Sequence, residues 1–170
     1  MPKLTIDGRD CAVADGATIL DAARAAGIDV PTLCWYPKLP TVGNCRICLV
    51  SVDGTGKLLP ACATAAAEGM VVHTESQAAV KNRQGVLSLL LERYPAEEIP
   101  ADAGRNEFEQ LVHRYQVPRT RSRELPLRTG DERPTDAIIT HDMSTCILCT
   151  RCVRACEDIQ VVGVLEVAER

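Results

Sequence analysis

Eight of the nine cysteines fall into two compact sets, and this pattern constrains the fold more than any other feature of the sequence. The first set has the spacing Cys-x10-Cys-x2-Cys-x13-Cys, and the second has the spacing Cys-x2-Cys-x2-Cys-x3-Cys. The first set is Cys34, Cys45, Cys48 and Cys62, and the second set is Cys146, Cys149, Cys152 and Cys156. Thiolates at such spacings bind soft metals, so each set is predicted to be a metal site.

Metal binding is favoured over disulfide bonding for these cysteines. The N-terminus has no apolar signal region, which predicts a chain that stays in the reducing cytoplasm, where cysteines are more often metal ligands. An odd count of nine would also leave a disulfide framework incomplete. The ninth cysteine, Cys11, lies in a predicted strand and is interpreted as a buried free thiol.

Composition excludes several classes of function. The net charge is -4 and aromatic residues make up only 3%, so no nucleic-acid partner is predicted. No segment approaches the roughly 18 apolar residues of a membrane-spanning helix. The sequence shows no nucleophile–base pair, glycine-rich phosphate loop or paired acids, and no catalytic residue is predicted. These exclusions favour electron transfer by bound metal.

Residue periodicity predicts a small mixed sheet for the N-terminal part. Residues 3–6 and 9–14 alternate as strands around an Asp7-Gly8 turn, and a capping box at Thr18 opens a short helix. Further strands are predicted at 47–52, 57–61 and 70–73.

Two helices are predicted to follow the sheet. Thr74 and Gln77 match a capping box, and an apolar stripe then runs to Tyr94, where Pro95 is expected to end the helix. Helical spacing of apolar residues from Phe108 onward predicts a second amphipathic helix. Residues 117–137 show little periodicity and are interpreted as an extended connector.

The segments around the first set resemble a known iron–sulfur module. Thr-Leu-Cys34-Trp-Tyr, Gly-Asn-Cys45-Arg-Ile-Cys48-Leu-Val and Leu-Pro-Ala-Cys62 are similar to the N-terminal 2Fe–2S domain of the large iron–sulfur chain of respiratory NADH dehydrogenase. The same module opens hydrogenase diaphorase chains and formate dehydrogenase alpha subunits. The resemblance implies an α+β fold with a β-grasp ferredoxin domain, and one 2Fe–2S cluster bound by the first set. A zinc-bound structural adaptor is the alternative.

The sequence departs from this family after the first long helix. Many members carry His-Pro-x-Asp-Cys-x-x-Cys there and bind a 4Fe–4S cluster through one histidine and three cysteines. Here Tyr94 stands in place of the histidine, and no cysteine follows before Cys146. That cluster is therefore predicted to be absent.

The second set resembles the first half of a two-cluster ferredoxin insert, and its sequence is most similar to formate dehydrogenase alpha subunits. The spacing is also that of the bacterial ferredoxin run. By this resemblance Cys146, Cys149 and Cys152 hold one 4Fe–4S cluster, whereas Cys156 ligates a second, so the segment binds one cluster or shares in two. The missing ligands would come from a longer polypeptide or from a partner chain. His141 is a weaker candidate ligand.

Together these features predict four segments: a 2Fe–2S domain at 1–75, helices at 76–116, the connector at 117–137 and a partial 4Fe–4S segment at 138–170. The expected function is electron transfer in a cytoplasmic NAD-linked oxidoreductase, between a molybdenum or tungsten formate dehydrogenase site and a flavin/NAD site. The implied partners are a flavin/NAD-binding subunit and a pterin-metal catalytic subunit or downstream domain. The alternatives are an electron-transfer chain of NADH dehydrogenase or NAD-reducing hydrogenase, and a free-standing ferredoxin-like carrier.

Overall fold

The strands of the computed structural model, which describes residues 1–102, 104–120, 125–126 and 143–167, form one mixed sheet. They are β1 (Lys3–Ile6), β2 (Arg9–Ala12), β3 (Leu49–Val52), β4 (Leu58–Pro60) and β5 (Val71–His73). The order across the sheet is β2-β1-β5-β3-β4. The β1–β5 pair is parallel and the other pairs are antiparallel. The predicted mixed α+β fold with a small sheet is confirmed.

Period-two alternation sets the buried face of this sheet. Leu4 and Ile6 of β1 are buried whereas Lys3 is exposed, and the Asp7-Gly8 turn has positive φ angles of 47° and 78°, as a tight two-residue hairpin requires. Helix α1 (Ile19–Ala25) covers the buried face, and its first turn has the predicted capping box at Thr18. The core against this helix includes Leu4, Ile6, Ile19, Leu20, Ala22, Ala23, Val50, Val52 and Val72.

The capping box predicted at Thr74 is wrong. Helix α2 (Gln77–Leu91) begins after Ser76, whose Oγ accepts a hydrogen bond from the Ala79 amide at 3.2 Å. Thr74 does not cap the helix, because its amide and hydroxyl both donate hydrogen bonds to the carboxylate of Asp7. The last residue of the helix is Leu91, four residues before the predicted stop at Pro95.

The chain divides into two compact units, one of Met1–Arg83 with Thr150–Arg170 and one of Gln84–Cys149. In the second unit, a 3-10 turn (Ala96–Glu98) precedes α3 (Glu107–Arg114), the predicted amphipathic helix. The buried apolar residues of the second unit include Leu87, Leu91, Tyr94, Ile99, Phe108, Leu111, Val112 and Tyr115.

The C-terminal segment of the first unit begins with α4 (Arg151–Arg154), which continues as a π-helical turn over Ala155–Ile159. The first compact unit therefore groups residues from Thr150 onward with the N-terminal sheet. The division into segments 1–75, 76–116, 117–137 and 138–170 stays a prediction. Over the described ranges, every helix is too short or too polar to cross a bilayer.

Candidate metal centre

The first set of cysteines gathers in one part of the first unit as two sulfur pairs. Cys34, Cys48 and Cys62 are buried, and Cys45 is half-buried. The Sγ atoms of Cys48 and Cys62 lie 3.3 Å apart. In the other pair, the Cys34 amide donates to the Cys45 Sγ at 3.4 Å. The structure therefore brings Cys34 beside Cys45 and Cys48 beside Cys62, and the assignment of the four as ligands of one site stays a prediction.

The sulfurs are close enough to share protons. A hydrogen bond from Cys45 is the main cause that lowers the pKa of Cys34 to about 5, although burial opposes it. The hydrogen bond to Cys34, together with burial, raises the Cys45 pKa above its usual range. The hydrogen bond from Cys62 likewise lowers the Cys48 pKa to about 7, and that bond raises the Cys62 pKa.

This arrangement fits a binuclear iron–sulfur cluster. Two buried thiolates side by side repel each other, and a bound cation relieves that repulsion. Four cysteine thiolates are the ligand set of a 2Fe–2S cluster, with two thiolates for each iron. Within the described residues, no three His, Cys, Asp or Glu side chains gather around the position of one ion.

Backbone amides of the ligand loop, defined as residues 34–48, point toward the sulfurs. The amides of Asn44 and Cys45 form hydrogen bonds that lower the pKa of Cys34. Gly43, at φ 60°, and Arg46, at φ 59°, adopt the left-handed conformation that turns the loop in this way. Such amides stabilise negative charge on cluster sulfurs and tune the potential.

Arg83 of α2 is a supporting residue that sequence reasoning missed. Its side chain is fully buried, and it donates to the carbonyls of Ile47 and Leu49, in each case at 3.1 Å. These carbonyls flank Cys48, so Arg83 fixes the backbone on both sides of that ligand. Glu75 balances the charge at 3.2 Å. The signal present in the sequence is a charged residue within an apolar helical stripe.

Cys11 is apart from the two sulfur pairs. It is buried in β2, as predicted, and its thiol donates to the Arg9 carbonyl at 3.3 Å. Its thiol therefore resembles the ligand thiols in burial but has a backbone partner instead of a second sulfur.

The structure places the second set differently. Cys146 and Cys149 belong to the second unit, whereas Cys152 and Cys156 belong to the first. The Leu148 amide donates to the Cys146 Sγ at 3.4 Å, and Leu148 has a left-handed φ of 55°. The 4Fe–4S site stays a prediction, and His141 lies outside the described residues.

Tyr94 lies in a buried polar network. Its hydroxyl donates to Glu109 at 2.7 Å and accepts from Asn106 at 3.0 Å, and Arg105 donates to the same carboxylate. Burial, with the Glu109 bond, raises the pKa of Tyr94 to about 12. Burial acts to raise the pKa of Glu109, but the bonds from Arg105 and Tyr94 outweigh it and hold that pKa below its usual value.

Tyr94→Phe is expected to leave the iron content unchanged and to lower the free energy of unfolding by about 1–2 kcal/mol, since Glu109 and Asn106 lose a buried partner. Iron analysis and urea denaturation measure the two quantities. Tyr36→Phe, at an exposed tyrosine, is the control and should change neither. A loss of iron in Tyr94→Phe would mean that Tyr94 serves a metal site.

Comparison with known proteins agrees with the geometry of the first set. Residues 2–77 match the family described as the 2Fe-2S iron-sulfur cluster binding domain. The first set lies entirely within that match. The crystal structure of an NAD+-reducing NiFe hydrogenase in its H2-reduced state is similar, with a TM-score of 0.77 and 27% identity. The superposition covers 99% of this chain and 71% of the hydrogenase chain.

Curated relatives extend the similarity beyond residue 77. The chain is 37% identical to the mitochondrial NADH-ubiquinone oxidoreductase 78 kDa subunit of Candida albicans and 38% identical to an NADH-quinone oxidoreductase subunit of Rhizobium meliloti. It is also 38% identical to NADP-reducing hydrogenase subunit HndD of Solidesulfovibrio fructosivorans. The alignments include 92%, 94% and 100% of this chain, but only 22%, 19% and 30% of those relatives.

These findings support the NADH dehydrogenase and hydrogenase alternative better than formate dehydrogenase. They also agree with the sulfur pairs, since the matched family binds a cluster with two irons. Residues 2–77 are a 2Fe–2S iron–sulfur cluster binding domain, related to those of NADH-quinone oxidoreductases and of NAD-reducing hydrogenases, and serve as an iron–sulfur electron-transfer module.

Proposed function

We propose that Cys34, Cys45, Cys48 and Cys62 hold one 2Fe–2S cluster that passes electrons within an NAD-linked oxidoreductase. The observation that carries this proposal is the pairing of four thiols, Cys34 with Cys45 and Cys48 with Cys62, the second pair in sulfur contact at 3.3 Å. The family match supports a 2Fe–2S cluster in this part of the chain, since all four cysteines lie within residues 2–77.

The chain's own residues prepare this site for electron transfer. When bound, a 2Fe–2S cluster supplies one reversible electron. The buried cysteines bind it and exclude water, and the loop amides near Cys34 stabilise the charge that the electron adds. Arg83 holds the backbone on both sides of Cys48, which limits the rearrangement between the two redox states.

The second set is proposed to hold 4Fe–4S iron. Its spacing is that of a ferredoxin segment, and the amide–sulfur bond at Cys146 has the form found in cluster loops. In this proposal Cys146, Cys149 and Cys152 ligate one cluster, and Cys156 ligates the same cluster or a second one.

The parent assembly is proposed to be of the NADH dehydrogenase or NAD-reducing hydrogenase type, with a flavin/NAD-binding subunit as partner. The relatives carry those names, and the chain spans under a third of each curated one. A molybdenum or tungsten formate dehydrogenase is the second candidate, favoured by the sequence around Cys146–Cys156. A cytoplasmic location stays a prediction from the sequence.

The full chain, expressed with iron–sulfur assembly proteins, should contain iron and acid-labile sulfide and show visible absorption that bleaches reversibly on reduction. Zinc without iron in a colourless protein would favour the structural adaptor instead. This test addresses the cluster alone.

The assembly purified from the native cells through a tag on this chain should contain flavin. Nickel, or an iron-only site that activates hydrogen, would indicate a hydrogenase. Molybdenum or tungsten would indicate a formate dehydrogenase. Recovery of the chain alone, without flavin, would favour the free-standing carrier.

A further inference from the structure

Arg154, at the end of α4, contacts the ligand loop of the first set. The residue is only 7% exposed. Its Nη2 donates to the carbonyl of Cys34, and its Nη1 donates to the carbonyl of Pro40 at 2.7 Å. One guanidinium therefore joins the ligand itself to the loop that leads toward Cys45.

Arg151, one helical turn earlier, contacts the same loop. Its guanidinium donates to the Trp35 carbonyl at 2.8 Å and lies 5.7 Å from the Tyr36 ring centre. Two arginines spaced i, i+3 lie on the same face of a helix, and both bind carbonyls between residues 34 and 40. Helix α4 is thus fixed on the loop by specific donors, with Arg154 at the ligand.

A buried cation at this position favours the more negative redox state. The one-electron reduced form of the cluster carries one more negative charge than the oxidised form. A positive charge in a poorly solvated site interacts with that added charge much more strongly than a charge in water does. The effect raises the reduction potential.

We infer that Arg154 is a positioning residue that raises the reduction potential of the 2Fe–2S cluster by holding its guanidinium against Cys34. The inference rests on the proposed function, because it requires a cluster on the first set. Arg154 also lies midway between Cys152 and Cys156. The helical turn that carries proposed ligands of the second set therefore also raises the reduction potential of the cluster on the first set.

The test uses Arg154→Gln and Arg154→Lys in the full chain, with iron analysis and a redox titration of the 2Fe–2S signal. Arg154→Gln should shift the potential downward, and Arg154→Lys, which keeps the charge, should shift it much less. The matched control is Arg24→Gln. Arg24 is an exposed arginine whose guanidinium lies 4.0 Å from the Trp35 ring centre, and its shift should be smaller and should fade as salt is added.

An unchanged potential in an iron-replete Arg154→Gln chain would overturn the inference, and so would equal shifts in Arg154→Gln and Arg24→Gln. If Arg154→Gln loses its iron, the Lys variant decides. Iron and potential close to wild type in Arg154→Lys support the inference, whereas loss of iron there too reduces Arg154 to a structural residue and overturns it. An unsubstituted chain that binds no iron would instead refute the proposed function.

Discussion

Cys48→Ser is expected to remove most of the iron and sulfide from the 2Fe–2S site. Cys48 is 2% exposed and in sulfur contact with Cys62, so the substitution removes one sulfur of a buried pair. A serine hydroxyl is a harder and far less acidic ligand than a thiol. Iron and sulfide analysis, with the visible spectrum, measures the loss.

Cys11→Ser is the matched control for this variant. Cys11 is a buried cysteine of the same unit, and its thiol donates to a backbone carbonyl that a serine hydroxyl can also reach. Its iron content should stay at the wild-type value. Equal iron in Cys48→Ser and the wild type would refute the ligand assignment, and equal losses in both variants would point to a folding defect.

Arg83→Met is expected to lower the free energy of unfolding by about 3–5 kcal/mol, since it leaves the carbonyls of Ile47 and Leu49 and the carboxylate of Glu75 without their donor. Urea denaturation of the iron-free chain measures this effect. The iron content should fall as well, because the backbone on both sides of Cys48 loses its support.

Lys81→Met is the control for Arg83→Met, because it removes a positive charge from the exposed face of the same helix. Its effect should stay within about 0.5 kcal/mol. Arg83→Lys should recover only part of the stability, because it keeps the positive charge but its ammonium group cannot span both carbonyls. A midpoint equal to wild type in Arg83→Met would show that the buried arginine is not needed.

Local patterns predicted much of the sheet and the cysteines that lie in pairs in the structure. Alternation between Lys3 and Ile6 reports directly which face is buried, because the period of a strand is two. The cysteine spacing singled out the cysteines that the structure brings together in pairs, and their role as ligands stays a prediction. Both signals lie within short stretches of sequence.

Contacts that join distant residues were not predicted. Thr74 has the sequence of a helix cap, but its hydroxyl binds Asp7, which is 67 residues away. Arg154 reaches the Cys34 carbonyl across 120 residues, and no local pattern contains that pairing. The burial of Arg83 could have been predicted in part, because Arg83 is three residues after Val80 and four before Leu87 on an apolar stripe.

The position of β5 determines when the sheet can be completed. The β1–β2 and β3–β4 hairpins are each made of neighbouring residues, but they join only through β5, which pairs with β1 on one side and β3 on the other. As the ribosome releases the chain, the two hairpins cannot be joined into one sheet until Val71–His73 emerges. The sheet that supports the cysteines is therefore complete only after the last strand has been synthesised.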